Sequence, residues 1–228
     1  MVLNVVGSSP TSHPFPSLPD PWFDFLIKLG IHLFYHNRED NLHLFLPFVL
    51  LIVTLPPMNY VAHYGSPLGD ITLSCDGEAI TGLWFDGQKH YMSLLSEPWE
   101  DIGRLGIEQP HLPVLDEACL WLDAYFSGAK PDSEPLLRPV ETPFRRRVWQ
   151  VLRTIPYGQT MTYGQIARLL GIRSAQAVGG AVGRNPISLM IPCHRVIGVD
   201  GKLTGYDAGL ERKLWLLRLE GTALRNGE

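Results

Sequence analysis

The segment from Thr142 to Pro186 carries so many helix start and stop signals that it can form little besides short helices joined by tight turns. Thr142 is followed by Pro143, a favourable pair for the N-cap and the first residue of a helix. That helix must end before Pro156, because the residue preceding a proline disfavours helical backbone. The second half of the chain therefore predicts a mainly α-helical domain.

Two further helices follow in a helix-turn-helix pattern. Thr162 and Gln165 form a capping box at the start of the first helix, which ends at Gly171. Ser174 can cap the second helix, and Pro186 ends it. Two short helices joined by a glycine-containing turn are typical of a helix-turn-helix, and we expect a winged-helix-like domain.

The second of these helices has almost no bulky side chains. Its small residues are Ala175, Ala177, Gly179, Gly180, Ala181 and Gly183. Glycine inside a helix costs about 0.5 to 1 kcal/mol relative to alanine, so several of them indicate that something approaches the backbone closely. A DNA groove and a tightly packed neighbouring helix both fit this pattern.

Charge is distributed unevenly along a chain whose net charge is −4. Residues 1–140 contain 6 Lys and Arg against 17 Asp and Glu, whereas residues 141–228 contain 13 against 6. A basic segment on an acidic protein is expected where that segment meets a polyanion such as nucleic acid. The alternative is that these basic side chains only solvate helices.

Residues 58–135 predict a smaller α/β domain. Apolar, β-branched runs on both sides of the turn dipeptide Asp76-Gly77 predict a hairpin within a small antiparallel sheet. An amphipathic helix follows and ends at Gly128. A proline-rich connection then leads into the helical domain, which we place at residues 136–228.

Residues 1–57 differ from the rest, because a Pro- and Ser-rich stretch precedes an apolar run at 44–55. Its twelve residues, interrupted by Pro47, fall short of the roughly 20 needed to span a bilayer. We expect Met58 to be the functional start, with residues 1–57 an upstream extension, disordered or misassigned as coding sequence. A membrane anchor is the alternative.

Three cysteines, Cys75, Cys119 and Cys193, are too few and too widely spaced for a disulfide framework. This pattern favours a reducing compartment. Neither a paired-cysteine motif nor a histidine pair with metal-ligand spacing is present in the sequence, so no metal site is predicted. Cys75 is expected to pack in the hairpin and Cys119 on the helix.

Cys193 stands beside His194 in the stretch IPCHRVIG. The thiolate is the reactive form, and a free cysteine is only a few per cent ionised near neutral pH. His194 can accept the proton directly or through water, although adjacent residues in an extended segment point to opposite faces. Glu220 is the best-placed carboxylate to orient the imidazole. Cys193 is thus either a nucleophile or a small buried residue.

IPCHRVIG, with GRNPI before it, TYGQIA upstream, and LTGY and GLERKLWLLRLEG downstream, resembles the O6-alkylguanine-DNA alkyltransferase (methylated-DNA–protein-cysteine methyltransferase) family. The resemblance runs from about Met58 to Gly221. It implies a ribonuclease H-like N-terminal domain and a single-use protein that binds double-stranded DNA through the minor groove. A flipped O6-alkylguanine then loses its alkyl group irreversibly to the protein's own cysteine, without a cofactor.

The resemblance also implies roles for individual residues. Cys193 is the acceptor, and His194 with Glu220 forms a water-linked relay that ionises it. Tyr163 donates a proton to N3 of the leaving guanine, and Asn185 supports the thiol loop. The other pocket and loop residues are Pro192, Arg195, Val196, Tyr206, Asp207 and Ala208. The implied DNA contacts are Gln176, Arg145, Ser174, Ala175, Gly179 and Arg184.

Three positions depart from the family's pattern. Gln176 replaces an arginine that usually fills the gap left by the flipped base, and glutamine lacks the charge and stacking plane of guanidinium. We therefore expect weaker duplex binding. Asp207 and Ala208 stand where the family commonly has a small residue and a glycine. Asp207 either accepts a hydrogen bond or repels developing negative charge, and Ala208 narrows the pocket.

Three other classes of protein are alternatives. A non-catalytic module that flags alkylated DNA to other repair factors would lack the cysteine. A helix-turn-helix transcription regulator would carry a longer, more polar recognition helix, and a Cys-His hydrolase would turn over repeatedly. We expect a cytoplasmic protein, or a nuclear one in a eukaryote, that is monomeric and lacks a stable protein partner or membrane association.

Overall fold

The computed structural model describes residues 58–105 and 112–223. Four strands form one sheet: β1 (Asn59–Ser66), β2 (Gly69–Cys75), β3 (Ile80–Phe85) and β4 (Trp99–Arg104). Their order in the sheet is β3-β2-β1-β4. The predicted hairpin is confirmed, because β2 and β3 pair antiparallel on either side of the Asp76-Gly77 turn.

The sheet is mixed rather than purely antiparallel, because β4 runs parallel to β1. The connection from β3 crosses over before β4 begins, so the chain returns in the same direction as β1. β4 carries the sequence WEDIGR and is mostly exposed. It therefore lacks the apolar alternation by which a strand is recognised in a sequence.

The amphipathic helix of the N-terminal part, α1 (Pro113–Phe126), is present as predicted. It buries Leu115, Ala118, Leu122 and Tyr125, which join the core formed with the sheet. Cys75 lies buried in β2, and Cys119 is partly exposed on α1.

The proline-rich connection after α1 is ordered along the edge of β3. Leu137 forms a parallel bridge with Ile80, and Ile187 forms another with Leu83. The free edge of β3 therefore pairs with segments that lie on either side of the helix-turn-helix. These bridges bring the buried residues of both parts of the chain into one hydrophobic cluster.

The C-terminal part contains four α-helices: α2 (Pro143–Arg153), α3 (Tyr163–Leu169), α4 (Ala175–Val182) and α5 (Leu210–Leu219). The predicted caps are confirmed: the Thr142 side chain caps α2, the capping box opens α3, and Ser174 accepts from the Ala177 amide at α4. α4 ends at Val182, earlier than Pro186 requires, and Gly183 is its C-cap.

Two short strands, β5 (Met161–Thr162) and β6 (Val196–Ile197), pair in parallel beside the helix-turn-helix. The predicted fold class is confirmed: a small sheet with one helix, followed by a mainly α-helical part. No helix among the described residues is long and apolar enough to cross a membrane. The predictions for residues 1–57 lie outside the described residues.

Candidate functional site

Cys193 begins a single 3-10 turn, Cys193–Arg195, that lies between Pro192 and strand β6. Cys193 is 5% exposed. The backbone amide of Cys193 donates to the Ile191 carbonyl at 2.7 Å, and Val196 is fully buried at the start of β6. Because Cys193 and His194 lie in this turn and not in a strand, their side chains need not point to opposite faces.

Asn185, just after α4, contacts the thiol directly. Its Nδ2 donates to Cys193 Sγ at 3.1 Å and to the Ile191 carbonyl at 2.7 Å. Its Oδ1 accepts from the Ile187 amide at 3.0 Å. One buried amide therefore fastens the turn after α4 to the sulfur, as the resemblance implies.

Glu220, the C-cap of α5, is a buried carboxylate that collects hydrogen bonds from four residues. Oε1 accepts from Tyr125 Oη at 2.6 Å and from His194 Nε2 at 2.7 Å. Arg195 binds both carboxylate oxygens, with Nε at 2.8 Å from Oε2 and Nη2 at 3.0 Å from Oε1. The Gly158 amide donates to Oε2 at 3.1 Å. The bond with His194 joins the two residues predicted to form the relay.

These contacts fix the protonation state of His194. Burial acts to raise the pKa of Glu220, but hydrogen bonds and charge from His194 and Arg195 outweigh it and hold that pKa well below its usual range. An ionised carboxylate only accepts hydrogen bonds, so Nε2 of His194 carries the proton. Burial lowers the pKa of His194 despite Glu220, which leaves the ring neutral with Nδ1 as an acceptor.

His194 Nδ1 is buried and has no hydrogen-bond partner among the described residues. No direct hydrogen bond joins it to the Cys193 sulfur in that part of the chain. A free acceptor nitrogen beside a thiol can receive the thiol proton through one water molecule. The arrangement therefore fits an indirect relay rather than a directly bonded Cys-His pair.

The resting cysteine is a thiol. Burial raises the pKa of Cys193 to about 11, although the hydrogen bond from Asn185 and the charge of Lys213 act to lower it. Together with a neutral imidazole, this describes a site that holds no charge on the sulfur before substrate arrives. The sulfur must therefore lose this proton if Cys193 is to act as a nucleophile.

Lys213 of α5 is a fully buried cation that no sequence motif marks. Its Nζ donates to the carbonyls of Thr204 at 2.8 Å and Gly205 at 3.1 Å, and to that of Val196. Burial lowers its pKa to about 8, so the ammonium stays charged at neutral pH. Lys213 thus holds the loop of residues 204–208 against β6 and places positive charge near the sulfur.

Tyr163 links the helix-turn-helix to the same loop. Its hydroxyl donates to the Thr204 carbonyl at 3.2 Å, and its ring lies 3.7 Å from the position a Cβ would take on Gly179 of α4. Burial raises the pKa of Tyr163, which keeps the phenol protonated and able to donate. Gly179 therefore serves close packing within the protein.

The loop carries the three remaining pocket residues. The Tyr206 hydroxyl is buried, and so is Ala208. Asp207 accepts a hydrogen bond from His90 Nδ1 at 2.7 Å and from the His90 amide at 2.8 Å. Of the two predicted roles for Asp207, the geometry matches that of hydrogen-bond acceptor.

The exposed face of α4 contains Ser174, Ala175, Gln176 and Gly180. A Cβ added at Gly180 would meet nothing within 4 Å, so neighbouring helices do not explain this glycine. Gln176 and Gly180 are one helical turn apart and share a face. The small residues of α4 therefore have two explanations. Gly179 packs against the Tyr163 ring, whereas Gly180 lies on an open surface.

The arginines of α2 and the one just after α4 fall into two groups. Arg184 is exposed just after α4, and Arg145 is half-buried near the start of α2. Three others already have partners: Arg146 pairs with Glu141, Arg153 with Glu134, and Arg147 donates to the Leu170 carbonyl.

Within residues 58–105 and 112–223, no cluster of His, Cys, Asp and Glu could hold a metal ion.

Comparisons with known proteins identify the family of this chain. A family model described as the ribonuclease-like domain of 6-O-methylguanine DNA methyltransferase matches residues 59–137, and the DNA-binding domain of the same family matches residues 143–222. A methylated-DNA–protein-cysteine methyltransferase from Haemophilus influenzae is 40% identical over 163 residues, which cover 71% of this chain and 86% of that protein. The chain belongs to the 6-O-methylguanine DNA methyltransferase family.

Other members of the family are equally similar. A methylated-DNA–protein-cysteine methyltransferase from Methanosarcina acetivorans is 41% identical, over 72% of this chain and 99% of its own length. The crystal structure of Mycobacterium tuberculosis OGT in complex with DNA superposes with a TM-score of 0.60 at 39% identity, covering 71% of this chain and 92% of that one. The family resemblance predicted from the sequence is confirmed.

The site contains residues that sequence reasoning missed. Tyr125 lies 95 positions from Glu220 in the sequence. Its position fits the apolar face of an amphipathic helix, so the sequence marks it only as a core residue. Lys213 comes directly after charged residues, so the sequence around it predicts a solvent-exposed stretch of helix. The one feature that indicates its burial is its position on the apolar face of α5. Gln88 and His90 carry no motif at all.

Proposed function

We propose that this protein repairs alkylated DNA by direct reversal, moving an alkyl group from O6 of guanine to its own Cys193. One observation carries the proposal: a buried thiol accepts a hydrogen bond from Asn185 beside an imidazole fixed by a buried carboxylate. The named activity of relatives at about 40% identity supports it. The alternative of a lesion-flagging module is not favoured, since the acceptor cysteine and its relay are both present.

The chemistry is a single displacement. Cys193 Sγ attacks the alkyl carbon, a C–S bond forms and the C–O6 bond breaks, leaving S-alkylcysteine and guanine. The thiol proton passes through water to His194 Nδ1, while Glu220 stabilises the resulting imidazolium. Tyr163 donates its phenolic proton to N3 of the departing base, so guanine leaves neutral, and the phenol regains a proton from the relay or solvent.

Binding to DNA precedes this step. We propose that α4 enters the minor groove and that the damaged base is flipped into the pocket, at a cost of a few kcal/mol that is smallest for damaged or mispaired bases. The exposed face with Gln176 and Gly180 allows close approach of the duplex. Arg145 and Arg184 would contact phosphates, which gives affinity without sequence preference. Ser174 and Ala175 lie at the N-terminus of α4, where backbone amides also favour phosphate.

The reaction needs no cofactor, because the protein itself is the acceptor. We further propose that the protein acts as a monomer on double-stranded DNA, in the cytoplasm or, in a eukaryote, the nucleus. Three free cysteines support a reducing compartment.

Intact mass tests the proposal. The purified protein is incubated with a duplex oligonucleotide that contains one O6-methylguanine. We expect the mass to rise by one methylene group, to saturate at one per chain, and to stay unchanged in Cys193→Ala. Cys119→Ala is the matched control and should react normally, since Cys119 lies on α1 away from the relay. Binding to the lesion duplex without a gain in mass would assign the protein to the lesion-flagging class.

A further inference from the structure

Asp207 joins the pocket loop to the segment that follows β3. Oδ1 accepts from His90 Nδ1 at 2.7 Å, and Oδ2 accepts from the His90 amide at 2.8 Å and from Gln88 Nε2 at 3.4 Å. The Lys89 amide adds a bond to the Asp207 carbonyl at 3.1 Å. Four hydrogen bonds therefore cross between segments 117 to 119 residues apart in sequence.

The segment that receives Asp207 is itself held by the sheet. Gln88 is buried, and its Oε1 accepts from the Phe85 amide at the end of β3 at 3.0 Å. The Asp207 and His90 side chains are 12% and 25% exposed. A partly buried, charge-assisted pair is stronger than a surface ion pair, because solvent screens it less.

On its other side the loop is held by the C-terminal part. Lys213 Nζ and the Tyr163 hydroxyl both donate to the Thr204 carbonyl, and Arg212 Nη1 donates to the Ala208 carbonyl at 3.3 Å. Asp207 supplies the opposing contact from the N-terminal sheet. Without that side chain, only the main-chain bond from the Lys89 amide to the Asp207 carbonyl would hold the stretch with Tyr206 and Ala208 from the side of the sheet.

We propose that Asp207 is a positioning residue that holds the pocket loop in its binding-competent form, so that a free O6-alkylguanine base, which the pocket alone must hold, depends on this contact more than an alkylated duplex does. The inference rests on the proposed function. A free base binds through the pocket alone, so its apparent affinity falls in proportion to the fraction of competent loop. A duplex is also held by phosphate contacts outside the pocket and depends less on the loop.

The test uses O6-benzylguanine and a duplex with one O6-methylguanine as probes, with intact mass as the readout. For Asp207→Ala, we expect the half-saturating concentration of O6-benzylguanine to rise about tenfold, while the limiting rate changes less than about twofold. The half-saturating concentration of the lesion duplex should rise much less, by about threefold at most, because phosphate contacts outside the pocket also hold it. His90→Ala should act in the same direction, and the double variant should be no worse than Asp207→Ala, because both remove one interaction.

A matched control comes from a second His-Asp pair in the same sheet, in which His63 Nε2 lies 3.2 Å from Asp101 Oδ2. Asp101→Ala should leave both substrates unaffected. Asp207→Asn keeps an acceptor for the His90 amide and should recover part of the affinity for O6-benzylguanine. Such a partial recovery would show that the loss in Asp207→Ala comes from the missing contact and not from misfolding.

Equal losses on both substrates, additive losses in the double variant, or a wild-type protein that reacts with duplex and not with the free base would each overturn the inference. Failure of the proposed function gives a different result, since the wild-type mass would then change with neither substrate.

Discussion

At the scale of single residues, the amide of Asn185 is the group best placed to stabilise negative charge on the sulfur. In Asn185→Ala the thiolate loses its donor at 3.1 Å. Hydrogen bonds to charged groups contribute about 1.5 to 3 kcal/mol, so we expect the rate of alkyl transfer to fall about 10- to 100-fold. The pKa of Cys193 should rise further above about 11, because the Asn185 hydrogen bond now lowers it.

The measurement is single-turnover alkyl transfer as a function of pH, with the unfolding midpoint measured alongside. Ser74→Ala, which removes a buried hydroxyl that bonds to Thr81 in the sheet, controls for a general loss of stability. A rate within about twofold of wild type would contradict the role given to Asn185.

Tyr125 is the residue through which α1 reaches the relay. Tyr125→Phe removes a donor 2.6 Å from a buried carboxylate, and we expect the free energy of unfolding to fall by about 1.5 to 3 kcal/mol. Tyr64→Phe is a matched control, because Tyr64 donates to Asp123 at 2.7 Å in an exposed pair, which should contribute about 1 kcal/mol or less. Urea denaturation compares the two, and equal losses would argue against a special role for the buried contact.

At the scale of elements, helix α4 carries Gln176 in place of the arginine that the family resemblance implies. Arginine at position 176 would add a charge and a stacking plane on the face that contains Gly180. We expect Gln176→Arg to raise the rate of repair of duplex O6-methylguanine at sub-saturating DNA severalfold, with no change for free base. Gln150→Arg, at an exposed position of α2, adds the same charge elsewhere. If both variants gain equally, overall charge and not the site on α4 is responsible.

The helices and strands that the sequence predicted are those specified by residues close together in the chain. The capping side chains of Thr142, Thr162 and Ser174 define helix starts within three residues, and the Asp76-Gly77 turn defines the hairpin. Strand β4 escaped prediction because its parallel partner is distant and its side chains are exposed. The contacts of Tyr125 with Glu220 and of Asp207 with His90 escaped for a related reason, since they span 95 and 117 residues and have no periodic signature.

At the scale of the whole molecule, the buried relay links stability to pH. The folded pKa of Glu220 lies below its ordinary 4.5, so its stabilisation is complete above that pH and is lost as pH falls below it. His194 also lowers stability as the pH falls. Its pKa in the folded protein lies below 6.5, so the unfolded chain binds a proton at higher pH than the folded protein does. Stability should therefore decline continuously from about pH 6.5 to pH 3.

Glu220→Gln should be less stable than wild type at pH 7 and should lose less stability between pH 5 and pH 3. Unfolding free energies from urea titrations at several pH values measure this. Glu211→Gln, on the exposed start of α5, is the control and should follow the wild-type curve. Parallel curves for Glu220→Gln and wild type would rule out Glu220 as a source of the acid sensitivity.

The bond from Asn185 to the sulfur also determines what becomes of the protein once it has reacted. A thioether is a weak acceptor, so the same buried amide loses its partner on the sulfur, and an added methyl group crowds a closely packed site. Both changes fall on the turn that connects α4 to the hydrophobic cluster shared with the sheet. The spent molecule should therefore melt at a lower temperature than the fresh one, and repair would leave behind a protein that is easier to unfold and to degrade than the molecules still able to act.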